Sequence, residues 1–232
     1  NAYSTLIAHN DVFDGYQMAV AVGWSWGYGP SVSRDNHIEF NHIHRFGQGW
    51  LSDIGGVYTL GVQPGTTIRN NLIHNITAAT YGGWGIYPDE GSSQLLIENN
   101  VVHDTSHQAF HQHYGKDNVV RNNIFAFGKQ GQVKLPRQAD HNSLTMDTPL
   151  LVSDDAPIYA HGVDSGRNFV SDHNLLFDVS GKPLRPTATK SFPAWQKTGH
   201  DQHSLVADPL FVNTANRDRI GVCVGSGIGG IG

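Results

Sequence analysis

Cysteine is nearly absent. Cys223 is the only one in 232 residues, so neither an internal disulfide nor a cysteine-ligated zinc centre can form. Charge is scarce too: 15% of residues are charged, and twenty acidic against fifteen basic side chains leave −5 with His neutral. That balance gives no broad positive field for a phosphate backbone, so nucleic acid is not expected as a partner. No apolar run is long enough to cross a bilayer and no signal segment is visible, so no membrane contact is expected. The chain opens on Asn1 without a methionine, which reads as a trimmed start or a piece of something longer. What is present is a 38% hydrophobic content, which suits one folded domain rather than a disordered chain.

That domain is repetitive. A template of aliphatic, two variable residues, Asn, one variable residue, aliphatic matches "IAHNDV", "IEFNHI", "IRNNLI", "IENNVV" and "VRNNIF". It places asparagines at Asn10, Asn41, Asn71, Asn100 and Asn123, spaced by 31, 30, 29 and 23 residues; a looser copy carries Asn174 after a gap of 51. One short aliphatic strand per period, without helical periodicity, reads as a solenoid of β-coils rather than a β-sandwich with frequent turns. The expected fold is all-β, a right-handed parallel β-helix with an asparagine ladder, because a stacked amide both donates and accepts. The coils are expected over residues 1–128, with an excursion over 129–167 and a last coil and C-terminal wrap over 168–232, the final glycine-rich octet being mobile.

Counting back fourteen residues from each ladder asparagine gives a column of Gly27, Val57, Ile86 and Ala109, expected to face inward. The next residues, Tyr28, Tyr58, Tyr87 and Phe110, form an aromatic column about 4.8 Å apart per coil. Two further on come Pro30, Leu60, Asp89 and Gln112, then Ser31, Gly61, Glu90 and His113. Strand parity puts Asp89 on the face of the aromatic column, and a carboxylate in a dry core would cost several kcal/mol. The column is therefore expected outside, on an exposed strip near Trp24, Trp26, Trp50, Trp84, His107, His111 and His113; an interior aromatic stack with Asp89 escaping at the strand end is the alternative. Flat aromatic faces, carboxylates and imidazoles along a groove suit holding sugar rings and cleaving a glycosidic bond.

Plainer readings stand beside these. The histidines of "NHIH", "LIHN" and "VVHD" follow the asparagine corner and read as hydrogen-bonded turn residues, and the acids around Asp154 as a solvated loop. No HExxH spacing occurs, so neither a metal site nor a cofactor is expected.

The runs "SDIGGVYTLGVQPGTTIRNNLIH", "GGWGIYPDEGSSQLLIENNVVHDT", "FHQHYGKDNVVRNNIFAFG" and "FPAWQKTGHDQHSLVADPLF" resemble the right-handed β-helix region of bacterial carbohydrate-active proteins. The similarity is in particular to glycoside hydrolase family 141, which includes α-L-fucosidases and xylanases acting on plant cell-wall polysaccharides, and it covers Ile38 to Phe211. The resemblance implies Asp53 of "SDIGG" and Asp89 of "YPDEG" as catalytic acids, with Glu90 as a substitute for Asp89. Tyr58, Trp84, Tyr87, His111, His113 and Lys134 are the expected substrate-binding residues. Asp53 aligns with Gly82, seven residues upstream of Asp89, so the acids meet only if a corner lies between Asp53 and Val57, for which Gly55 and Gly56 are the candidates. The implied protein is a secreted or periplasmic glycoside hydrolase acting on an oligo- or polysaccharide. Two alternatives remain: a non-catalytic solenoid that binds glycans or stacks head to tail through open ends, and a polysaccharide lyase with Lys134 or Arg137 as base.

Overall fold

A computed structural model describes residues 2–137, 139–160, 163 and 168–210. Cys223 and the closing "VGSGIGGIG" lie outside the described residues. The coils stack into three parallel sheets of seven, eight and five strands, and a two-stranded pair joins Ser92–Ser93 to Gly115–Lys116. In each coil a strand of the first sheet turns a corner into the second; Thr67–Arg69 leads to Leu72–Ile76, and Leu96–Glu98 to Val101–Thr105. The third sheet holds Val20–Val22, Ile54–Thr59, Gly83–Pro88, Phe110–His111 and Val133–Lys134. The only helix among the described residues is Phe192–Gln196, and none is long and apolar enough to cross a membrane.

The corner between first and second sheets is where the repeated asparagines lie. Asn10 donates through Nδ2 to Asn41 Oδ1 at 2.9 Å, Asn41 to Asn71 at 3.0 Å, Asn71 to Asn100 at 2.9 Å and Asn100 to Asn123 at 2.9 Å. Each amide also binds backbone: Asn71 Nδ2 donates to Ile38 O at 2.9 Å, and Asn71 Oδ1 accepts the Asn41 N–H at 3.0 Å. The residue before each rung is left-handed, with Asn70, Asn99 and Asn122 at φ of 56°, 56° and 50°. Hence the doubled asparagines: the first turns the chain and the second builds the ladder. Replacing Asn71 by Ala strands the Asn41 donors and the Ile38 carbonyl, at a cost of about 2–3 kcal/mol. A urea midpoint unchanged from the parent would contradict that role.

Inside the coils, Ile38, Ile68, Ile97 and Val120 line the first sheet, and Ile43, Ile73, Val102 and Phe125 the second, all fully buried. The ladder ends where Pro149 takes the corner before Leu150–Ser153. Asn174, expected as a further rung, instead donates to Ser171 Oγ at 2.8 Å and to Asp201, while its N–H reaches Ser204 Oγ at 2.8 Å. The Phe192–Gln196 helix lies in the stretch expected to be a plain wrapped loop, and it drives Trp195 onto Tyr159, Phe169 and His200.

Three expectations need correcting. The excursion over 129–167 contains ordinary coil strands: Val133–Lys134 in the third sheet, Leu144–Asp147 in the first and Leu150–Ser153 in the second. Its asparagine-free corner hid it from the template. Val20, not Gly27, pairs with Val57, because seven extra residues carrying Trp24, Trp26 and Tyr28 intervene before the next corner. Phe110, not Ala109, pairs with Ile86, so Phe110 turns inward onto Phe125 and His111 takes the outward place.

The histidines read as turn residues are also strand residues. His44, His74 and His103 pair in register on the outer face of the second sheet. Burial, with the neighbouring histidines adding to it, pushes His74 down to about 4; burial also lowers His42.

Candidate active site

The outer face of the third sheet gathers the expected substrate-binding residues. Tyr58 pairs with Tyr87, and His111 with Lys134, so Tyr58, Tyr87, His111 and Lys134 form one column. Alternation is broken one residue earlier. A side chain on Gly56 would meet Ile73 Cγ2 at 2.6 Å, and one on Gly85 would meet Val102 Cγ1 at 2.1 Å, so Gly56–Val57 and Gly85–Ile86 both turn two successive residues inward. The glycines thereby re-aim the strand, leaving Trp84 and Tyr87 outside.

Outside does not mean exposed. Tyr58 and Tyr87 are each 4% exposed, packed with Leu60, Trp84 and Met18 in a cluster separate from the coil interior. The open strip expected from the sequence is instead a dense aromatic wall. Trp84 stacks on His111 at 4.1 Å, donates through Nε1 to Gln108 Oε1 at 2.9 Å, and carries the Lys134 ammonium 5.9 Å over its ring. Burial holds His111 well below the ordinary imidazole value and lowers Lys134. The buried Nδ1 of His111 has no hydrogen-bond partner among the described residues.

The acids meet at this wall. Asp53 is left-handed at φ 59° just before its strand, a conformation Asp tolerates, and its N–H donates to Tyr81 O at 2.8 Å. Its Oδ1 accepts the Tyr87 hydroxyl at 3.1 Å. Asp89 accepts from Tyr58 at 2.8 Å and pairs with His113 Nδ1 at 2.9 Å, and Tyr87 is a hydrogen-bond partner of this acid as well. The two carboxylates thus converge on one phenol from adjacent coils. Glu90 turns to the side, accepting Tyr114 Oη at 3.0 Å, with His113 Nδ1 3.9 Å away. Gly91 makes this turn possible: at φ 77°, a Cβ there would lie 2.0 Å from Gly27 O.

Electrostatics separates the groups. Burial alone would raise Asp89, but hydrogen bonds from His113, Tyr58, the Glu90 backbone and Tyr87 outweigh it and leave the carboxyl below its ordinary value. Burial and the facing carboxylates raise both Tyr58 and Tyr87, so their hydroxyls keep their protons and donate.

Two participants escaped the sequence reading. Tyr81, 51% exposed, hydrogen-bonds Asp53; its place beside Gly82, the residue aligned with Asp53, was the available signal. Tyr114 reaches Glu90 at the same separation of 24 residues that joins His113 to Asp89, a coincidence visible only with the shorter coil in register. Of the other tryptophans, Trp24 is 57% exposed and leans on Tyr58 in a tilted contact at 6.1 Å. Trp50 instead lines a separate hollow with Tyr16 and Leu51.

Residues 22–174, well over half of the chain, match the family described as "Right handed beta helix region". The chain belongs to this family. No curated protein and no solved structure matches it. The match makes the solenoid a right-handed β-helix and takes in Asp53, Asp89, Glu90 and every wall residue from Tyr58 to Lys134.

Proposed function

We propose that this β-helix is a glycoside hydrolase acting on plant cell-wall-type polysaccharide, with Asp53 and Asp89 as its acids. The observation that carries the reading is the convergence of two carboxylates from adjacent coils on the Tyr87 hydroxyl, at the edge of an aromatic wall. Asp89, held ionised by His113 and Tyr58, is suited to act as base or nucleophile, and Asp53 to protonate the leaving oxygen. Tyr58 and Tyr87 position them, and half-buried Lys134, next to the buried His111, offers a polar contact to sugar hydroxyls. The similarity to glycoside hydrolase family 141 enters here, as a guide to which glycans to try. A polymeric substrate of this kind implies a secreted or periplasmic protein.

Screening the purified chain against xylans, fucosylated glycans and other wall polysaccharides, with reducing-end release as readout, tests the reading. No release from any of them would overturn it. Trp24, at the rim, is the expected platform for a sugar ring: Trp24→Ala should raise KM about three- to tenfold, about 1 kcal/mol, and leave the melting temperature unchanged.

One observation favours binding without hydrolysis. Both Asp89 oxygens already accept protein hydrogen bonds, so a glycan could rest on the wall without meeting a free base. Retention on a glycan affinity gel with no cleavage would identify that case, whereas an unsaturated product would mark a lyase using Lys134.

A further inference from the structure

The outer face of the second sheet holds a group of side chains that the glycan reading leaves unused. Register stacks His44, His74 and His103 in one column, with ring centroids 5.2 and 4.8 Å apart and planes within 9° and 3°. His42, two residues before His44 and so on the same face, lies 4.1 Å from the His44 ring, and its Nε2 stands 2.8 Å from His74 Nε2. Asp11, the neighbour of His42 in the preceding coil, places Oδ1 3.2 Å from His42 Nδ1 and 3.0 Å from His44 Nε2.

The protons single this group out. His42 Nδ1 faces a carboxylate, and His74 Nδ1 faces the Asn75 side-chain carbonyl. Both partners are acceptors, so each Nδ1 keeps its hydrogen. A neutral imidazole protonated there carries its lone pair on Nε2. Two lone pairs therefore confront each other at 2.8 Å, which is repulsive unless something positive lies between them.

We propose that His42, His44 and His74, with Asp11 beside them, bind one divalent transition-metal cation of the zinc type. The ligand atoms of the three histidines lie within 4.8 Å of one another. Three imidazoles are a zinc donor set, with Asp11 as the outer partner of His42 and His44, whereas calcium and magnesium select oxygen. Metal–nitrogen bonds of about 2.0–2.1 Å at the tetrahedral angle hold two nitrogens about 3.3 Å apart, so the pair has to open by about half an ångström. Asn75 fixes the ring of His74 from behind, as outer partners of metal-bound histidines do. The donors come from two successive coils, with Asp11 on the coil before, so the cation ties these coils together across the sheet. The other cluster, Asp172, His173 and His203, lacks this feature: His203 Nδ1 faces Asp172 at 2.6 Å and His173 Nδ1 faces Asp147 at 2.9 Å, and among the described contacts no two of its ring nitrogens face each other.

The test is calorimetric titration of the chelator-treated 232-residue chain with zinc chloride, and separately calcium chloride, at neutral pH. One equivalent of zinc and no calcium is expected to bind. His42→Gln and His74→Gln should each weaken zinc at least about tenfold, and His203→Gln should leave its affinity unchanged. Cobalt added to the parent chain should give a visible ligand-field band typical of nitrogen coordination, which reads the site without any variant. Absence of zinc binding, equal calcium binding, or zinc affinity unaltered in both His42→Gln and His74→Gln overturns the proposal. In the first case the two nitrogens share a proton instead.

Discussion

Asp89→Asn is expected to abolish glycan hydrolysis while leaving the solenoid folded. The amide keeps the size of the carboxyl and still accepts the Tyr58 hydroxyl through its oxygen, the bond that is 2.8 Å long in the parent. It cannot take a proton or attack an anomeric carbon. Removing a positioned base of this kind costs about 10²–10⁴ in kcat/KM. The lost charge-assisted bond to His113 should cost no more than about 1–3 kcal/mol of stability. Asp53→Asn should fail similarly in catalysis, whereas Glu90→Gln, turned towards Tyr114, should retain most activity. Full activity in both aspartate variants, or loss only in Glu90→Gln, would remove the catalytic assignment.

The pH profile checks the same acid independently. The folded carboxyl of Asp89 titrates below its ordinary value near 3.9, so its ionised form supports both fold and catalysis above that value and is lost as pH falls through the lowered one. The acid limb contributed by Asp89 is therefore expected below about pH 4.

The coil architecture was legible because the ladder writes itself into sequence: an asparagine can satisfy its neighbours only if the next coil repeats it, so Asn41, Asn71, Asn100 and Asn123 announce one another. Where a different chemistry turned the corner, the signal vanished. Pro149 hid a whole coil, and Asn174 matched the template although its amide serves Asp201 instead of a ladder. Register was less readable than fold because strands can be counted only through constant loops. Seven residues inserted before Asn41 moved Tyr28 off the sheet, and one residue fewer after Phe110 put His111 where Phe110 was expected. Tyr58, Tyr87 and Asp89 kept their places because the fourteen-residue count back from Asn71 and from Asn100 reaches paired residues, Val57 and Ile86. That Tyr58 and Tyr87 are buried was not legible, since the cover comes from Met18 and Trp84 packing on the outside. The histidines were misjudged for a related reason: adjacency to a corner says nothing about which face the following strand presents.

Asp201→Ala is expected to be the most destabilising single change. Its carboxylate is wholly buried and accepts from Trp195 Nε1 at 2.7 Å, Tyr159 Oη at 2.8 Å, Ser204 Oγ at 2.7 Å and Ser171 Oγ at 3.2 Å, with the Asn174 amide as a fifth donor. These donors come from the first-sheet strand Phe169–Asp172, from the corner that follows it, from the helix Phe192–Gln196 and from the loops at Tyr159 and Ser204. One acceptor thus ties the helix to the last coils and holds Trp195 over the end of the core. Alanine leaves the donors buried without a partner, at about 1–3 kcal/mol each, though neighbouring losses do not add in full. A total of about 4 kcal/mol is a large share of the roughly 5–15 kcal/mol that a domain has, and corresponds to a melting temperature lower by about 10 °C. Asp201→Asn should fall between, because it keeps one acceptor but turns a second donor towards donors already there. A loss below about 1 kcal/mol in Asp201→Ala would mean that the helix docks through Trp195 packing alone.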